Sequence, residues 1–273
     1  MPTSLGRMLK VLDTFSETAP IWTVDDIADS YGYTRATTYR YVGELCDAGL
    51  LTRVAQGAYA LGPRIIELDR QMQRSDPLLN VAESVMQGLL HPDRGQVVLL
   101  CSLFRDEVLC VHQMGKDKAL ALSYTRGRPM PLFRGATSRV ILGWLPERRL
   151  TRLYLDHQDE IRAAGLGRTH EEFLASLQAI RRQGYALSRG EVDAGVVGLG
   201  VPVLGGERAV LGSLSVVFSE DRFPERSAAA TIAQLTKAAD AIREGLARYA
   251  VVTRPPAAAA RKKRSPSAKT KRG

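Results

Sequence analysis

Between Ser30 and Gly43 the chain carries no acidic residue, and within that window stand Arg35, Ala36, Thr37, Tyr39 and Arg40. Guanidinium groups clamp phosphate or read guanine, and Thr and Tyr hydroxyls suit phosphate oxygens or base edges. A second acid-free window, from Ala48 to Ile66, holds Arg53 and Gln56. The chemistry on offer is contact with nucleic acid. Catalysis has no comparable support. Gly212-Ser213-Leu214-Ser215 lacks the GxSxG spacing of a nucleophile elbow. Gly195, Gly198 and Gly200 lead into a strand rather than a helix, which makes a poor phosphate loop. No HExxH or paired-carboxylate motif appears, and Glu191 and Asp193 read as solvated loop acids. The three cysteines (Cys46, Cys101, Cys110) are far apart in the chain and form no CxxC, so they read as small buried hydrophobes. Neither a metal nor a cofactor is expected, and the chain does not read as an enzyme.

The elements around the basic face are legible. Thr23 is a good N-cap, with Asp25 and Asp26 in the first turn of the helix it starts. That helix buries Val24, Ile27, Ala28 and Tyr31, and Gly32 fits a tight turn. Thr34 caps the next helix, whose core stripe is Thr38, Tyr41 or Val42, and Leu45. The stripe leaves Arg35, Ala36, Thr37, Tyr39 and Arg40 on the outer face. Helix, glycine turn, helix is the helix-turn-helix plan, whose second helix enters the major groove by its N-terminus. An earlier helix presents Leu5, Met8, Leu9, Leu12 and Phe15 as its apolar stripe. The segment 51–61, with Ala55-Gln56-Gly57 as its turn, reads as a β-hairpin wing with Arg53 and Gln56 near the tip. A three-helix protein-interaction module with a solvated basic face is the competing explanation.

The chain has 273 residues, room for two domains. Residues 1–62 form the reading head, and 63–80 read as a linker helix with Pro63 in its first turn. Residues 81–250 alternate. A helix near 78–90 precedes strands at 97–103 and 107–113. Further β signal follows at 120–125, then helices near 136–145, 147–157 and 170–183. Strands at 198–204 and 209–218 meet at Gly205-Gly206-Glu207, and a last helix spans 224–249. The fold class is α+β, two domains, the second shaped as a sensor. Residues 251–273, rich in Ala, Pro, Lys and Arg, read as a disordered basic tail.

Formal net charge is +9, but eight of the basic residues and no acid lie in 254–273. The remainder holds 30 basic against 29 acidic residues, and 1–75 holds 8 against 9. The basicity therefore belongs to the tail, which offers sequence-blind attraction to phosphate. A non-specific nucleoid-type DNA binder using that tail is the alternative function. Apolar runs fall short of the roughly 18 to 20 residues that span a bilayer, and the N-terminus lacks a signal-peptide pattern. A cytoplasmic, nucleoid-associated protein is expected.

In order and spacing the chain resembles the IclR family of bacterial regulators. The likeness rests on Arg7-Met8-Leu9-Lys10-Val11-Leu12, Thr34-Arg35-Ala36-Thr37-Thr38-Tyr39-Arg40, Leu45-Cys46-Asp47-Ala48-Gly49-Leu50 and Gly57-Ala58-Tyr59-Ala60-Leu61-Gly62 in the first domain. In the second it rests on Gly127-Arg128-Pro129-Met130-Pro131-Leu132, Ala136-Thr137-Ser138-Arg139, Arg181-Arg182-Gln183-Gly184-Tyr185 and Val201-Pro202-Val203. The resemblance implies a winged helix-turn-helix, a linker helix and a GAF-like effector-binding domain. It further implies homodimers, often paired into tetramers, on palindromic or repeated promoter DNA. It places a small-molecule effector at the helix start Ala136-Thr137, where free amides favour an anion. Polar contacts correspond to Ser188, Gly198, Ser215 and Val217. Three of these depart from the small-acid pattern: Ser188 replaces an acid, Gly198 a cysteine and Val217 a serine. Those replacements imply a roomier, less polar pocket for a larger, aromatic or carboxylate effector, with Met130, Leu132 and Phe133 on its apolar side.

Overall fold

The computed structural model describes residues 3–91, 95–115, 120, 122–223, 226 and 228–252, the last three of these as backbone only. Of the tail expected over 251–273, residues 251 and 252 instead close the last helix, and the rest lies outside the described residues. The chain divides into two compact units, Met1–Asp76 and Pro77–Gly273.

The first unit opens with α1 (Ser4–Lys10), which tightens into a 3-10 turn at Val11–Thr14. This turn changes the expected stripe. Val11 at its start is fully buried, whereas Leu5 and Leu9 of α1 stand exposed. Strand β1 (Trp22–Thr23) leads into α2 (Val24–Tyr31), which starts at a reciprocal capping box. The Thr23 hydroxyl accepts from the Asp26 amide, and Asp26 accepts from the Thr23 amide. Gly32 ends α2 in the left-handed region at φ +64, which glycine adopts without a Cβ clash. Helix α3 (Arg35–Asp47) buries Thr38, Tyr41, Val42 and Leu45, so both alternatives in the predicted stripe face the core. Strands β2 (Leu51–Ala55) and β3 (Ala58–Leu61) form the wing hairpin, and β1 joins it in the order β1-β3-β2.

The linker helix expected over 63–80 is interrupted. Helix α4 (Arg64–Ser75) stops at Asp76, whose backbone is extended (φ −71, ψ 116), and α5 begins anew as Pro77–Gln87. Proline lacks an amide hydrogen and pushes the residue before it out of the helical region, so Asp76-Pro77 breaks one helix and starts another.

The second unit is built on one antiparallel sheet of six strands: β4 (Gln96–Phe104), β5 (Glu107–Met114), β6 (Pro129–Met130), β7 (Ala186–Arg189), β8 (Val196–Leu204) and β9 (Val210–Ser219). Its order is β6-β5-β4-β9-β8-β7. Side chains alternate between faces with period two. Val98 and Leu100 of β4, with Leu214, Val216 and Phe218 of β9, pack on α5 and on α10 (Ala228–Val252). Val97, Leu99 and Cys101 point the other way, toward α6 (Gly135–Gly143), α7 (Glu147–Asp156), α8 (Gln158–Ala163) and α9 (His170–Gln183). Both sheet faces are covered, which is why β4 reads as a continuous apolar run.

The expected strand at 120–125 is absent among the described residues. The nearest pairing is the two-residue β6, further along the chain. Helix α8 and edge strand β7 had no sequence expectation. β7 spans four residues, two of them polar, too short for its alternation to register.

Candidate nucleic-acid interface and ligand cavity

Arg35, Ala36, Tyr39 and Arg40 are all exposed, and helical spacing puts them on one face of α3. Thr37 is half-buried, because its amide and hydroxyl are engaged by the Thr34 cap at 3.3 and 2.9 Å. Arg40 lies over the Tyr41 ring, 5.6 Å from its centroid, a contact that steadies the guanidinium from beneath. Arg35 is paired with Asp25 of α2 at 2.6 Å. The reading face is thus free of acids in the chain but not in space. On the wing, the Arg53 Nε donates to the Ala55 carbonyl at 3.2 Å, and Gln56 occupies the exposed turn.

In the second unit α6 lies against β8, with all its residues buried except Arg139. Glycines on β8 admit it. A Cβ on Gly200 would stand 2.9 Å from the Ser215 Oγ and 3.2 Å from the Ala136 carbonyl group, and one on Gly198 would stand 3.1 Å from the Ser188 Oγ. The start of α6 opens onto a cavity of about 50 Å³. Met130, Ala136, Thr137, Ser188, Gly198 and Val217 line it. Ser215 lies just behind, where its Oγ accepts from the Thr137 hydroxyl at 3.0 Å. Leu132 does not line the cavity. It is buried in the core between sheet and helices, beside Phe133, which packs edge-on against Phe173.

The amides of the first helical turn have no intrahelical acceptor. Here two of them are already satisfied from within the protein. Gly135 donates to the Glu191 Oε2 at 3.0 Å, and Ala136 donates to the Ser188 Oγ at 3.0 Å. The other Glu191 oxygen pairs with Arg139 at 3.0 Å, and Arg139 also donates to the Phe133 and Ala164 carbonyls. Asp193 accepts from the Ser123 amide at 3.0 Å. Glu191 and Asp193 are therefore structural members of the cavity wall, not the solvated loop acids expected. The cavity is small, and Glu191, Val192 and Asp193 stand on its wall beside Ser188, Gly198 and Val217. Tyr124, Leu122, Leu99 and Val196 complete the wall. The signal for the missing members was the glycine-bracketed acidic run 190–195, whose partners lie far away in the chain.

The expected burial holds for two of the three cysteines. Cys101 and Cys110 face each other across β4 and β5 and are buried, whereas Cys46 is half-buried. Among the described residues no helix is long and apolar enough to cross a membrane.

A winged helix-turn-helix unit followed by an α+β unit that encloses a small cavity defines a DNA-binding regulator with a sensing domain. Residues 4–55 match the IclR helix-turn-helix domain, and residues 71–244 match the C-terminal domain of the bacterial transcriptional regulator IclR. The chain belongs to the IclR family of bacterial transcriptional regulators. It is 28% identical over 212 residues to the transcriptional regulator KipR of Bacillus subtilis, covering 75% of this chain and 84% of that protein. It is 27% identical over 245 residues to the transcriptional regulator XynR of Escherichia coli, covering 89% and 96%. Among solved structures, an IclR regulator from Alicyclobacillus acidocaldarius shares the fold with a TM-score of 0.75 at 20% identity, over 89% of this chain and 98% of that one. An IclR homologue from Microbacterium hydrocarbonoxydans, complexed with 4-hydroxybenzoate, does so with a TM-score of 0.71 at 23% identity, over 90% and 100%.

Proposed function

We propose that this regulator binds promoter DNA through Arg35, Ala36, Thr37, Tyr39 and Arg40 of α3, with Arg53 and Gln56 of the wing beside them. Its binding or activation responds to a small organic effector, aromatic or carboxylate, held in the cavity under α6. The observation that carries this reading is the cavity itself: it lies between the start of a helix and a sheet, and Met130, Ala136, Thr137, Ser188, Gly198 and Val217 converge on it. The 4-hydroxybenzoate held by the Microbacterium relative supports an effector of this size. The protein works in the cytoplasm as a homodimer or a dimer of dimers, so that two reading heads meet two half-sites of a palindromic or repeated operator. An effector acts only through its differential affinity for the DNA-competent and DNA-incompetent arrangements. Turnover forms no part of this reading.

The test pairs two measurements on the full chain. Thermal-shift screening against aromatic and aliphatic carboxylates and their neutral analogues should raise the melting temperature for one class, since a ligand of the native state stabilises it. Gel shift on the upstream intergenic DNA should then change with that compound, and Arg35→Ala with Arg40→Ala should abolish the site preference. The eight basic residues of 254–273 favour one competing reading, non-specific binding through the tail. Deleting them separates the two. Site preference survives with a shallower salt slope if α3 reads the DNA, and all binding disappears if the tail does.

A further inference from the structure

Two of the amides that would greet an incoming anion at the start of α6, and the guanidinium beside them, are already occupied by the protein. The Gly135 amide and the Arg139 guanidinium are held by the two oxygens of Glu191, and the Ala136 amide by Ser188. What faces the cavity instead is acidic. Glu191 and Asp193 both line it, and no arginine or lysine does among the described residues. The remaining polar lining consists of the hydroxyls of Tyr124, Thr137 and Ser188, set among Leu99, Leu122, Met130, Val192, Val196 and Val217.

Resting on the effector site proposed above, we infer that Glu191 is an internal carboxylate that fixes the charge class of the effector: the site takes an uncharged molecule with an apolar, ring-sized body and a hydroxyl or amide donor. Among the described residues, a carboxylate entering this cavity meets no lining arginine or lysine, and it approaches Asp193 and the Arg139-paired Glu191. A neutral donor meets carboxylate oxygens that accept hydrogen bonds, and an apolar body meets the aliphatic wall. Space is supplied by the 190–195 segment. The cavity is about 50 Å³, and a benzene ring needs about 150 Å³. Val192 presses against Gly135 from that segment, and Gly190 and Gly195 bracket it at φ +60 and +72. Glu191 and Asp193 tie the segment to α6 and to Ser123, and the Gly195 carbonyl accepts from the Glu220 amide at 2.8 Å, so Val192, between these ties, is the part that gives way when a ring enters.

The test is calorimetry on the full-length chain with two probes of equal shape, 4-hydroxybenzamide and 4-hydroxybenzoate, in the wild type and in Glu191→Gln and Glu191→Ala. The glutamine variant keeps the side-chain shape and an oxygen for the Gly135 amide, which guards against loss of the fold; an unchanged gel shift confirms that fold. The expected result is that the wild type binds the amide at least tenfold more tightly than the acid, a difference of about 1.4 kcal/mol, and that both variants narrow or reverse this order. Wild-type binding of the acid as tightly as the amide overturns the role of Glu191 and leaves the effector site of the previous subsection standing. An order that is unchanged in both variants overturns it as well. Failure of wild type and variants alike to bind either probe, with the gel shift intact, overturns this inference together with the aromatic effector proposed above.

Discussion

Arg35, the first residue of α3, grips Asp25, in the first turn of α2, through two contacts: Nε to Oδ1 at 2.6 Å and Nη2 to Oδ2 at 2.9 Å. Both side chains are more than half exposed, so the pair adds little to stability. Its consequence is orientation. The guanidinium is held as a fork across the start of the reading helix, and part of its charge is cancelled before DNA arrives. Asp25→Asn should therefore strengthen binding to any DNA, steepen the salt dependence by about one unit and reduce the preference for the operator. Fluorescence anisotropy between 50 and 200 mM salt reads all three. A slope identical to that of the wild type would remove Arg35 from the DNA contact set.

Gly200 lets α6 approach the sheet closely. Its missing Cβ would press on the Ser215 Oγ at 2.9 Å and on the backbone of Ala136 at 3.2 Å. Overpacking of this kind costs about 1–3 kcal/mol. Gly200→Ala should destabilise the second unit by that amount, and Gly198→Ala by less, since its nearest neighbour is the Ser188 Oγ at 3.1 Å. Denaturant unfolding followed through Trp144 in a Trp22→Phe background isolates the second unit. Equal stability of wild type and Gly200→Ala would mean that α6 can lift from β8 without cost.

The cysteines differ in reactivity. The contact of Cys101 with Cys110 raises the Cys101 thiol well above its ordinary range, and burial adds to the rise. Burial also raises Cys46, but that residue is only half-buried. A thiol reagent such as Ellman's should titrate a single group in the native protein at pH 8, and none after Cys46→Ser. Denaturant should expose the remaining two. Rapid modification of two or more thiols in the native state would contradict the packing of β4 on β5.

Asp26 supplies a pH dependence. Hydrogen bonds from the Thr23 hydroxyl and the Thr23 amide hold its carboxyl below the ordinary carboxylate range. A group whose pKa is depressed on folding contributes stability above its unfolded value, about 3.9, and that contribution is lost as the pH falls through the folded value. The helical signal of the first unit should therefore melt progressively earlier below about pH 4, and Asp26→Asn should blunt that acid limb. Circular dichroism melts from pH 6 to pH 3 compare the two. Parallel curves would assign the acid loss to other carboxylates.

Local interactions are legible in the order of the residues. The Thr23 and Thr34 caps, the Gly32 turn and the stripe Thr38, Tyr41, Val42 and Leu45 each join residues within a few positions of one another, so spacing alone places the reading helix and its outward face. Strands β4, β5, β8 and β9 are visible for a similar reason, since burial on both sheet faces leaves long apolar runs. Asp76-Pro77 also carries its helix break in plain view, yet the apolar spacing on either side conceals it. Other features need the tertiary structure. Leu132 turns into the core although its neighbour Met130 reaches the cavity, because the path from β6 into α6 decides which side chain points where. Asp25 reaches Arg35 only because α2 and α3 pack, which an acid-free window cannot register. Glu191 meets Gly135 and Arg139 more than fifty positions away, once edge strand β7 delivers its loop to the start of α6. Composition and period determine which elements form and what they bury. The charge that an effector meets in the cavity depends on those distant pairings, and only folding brings them together.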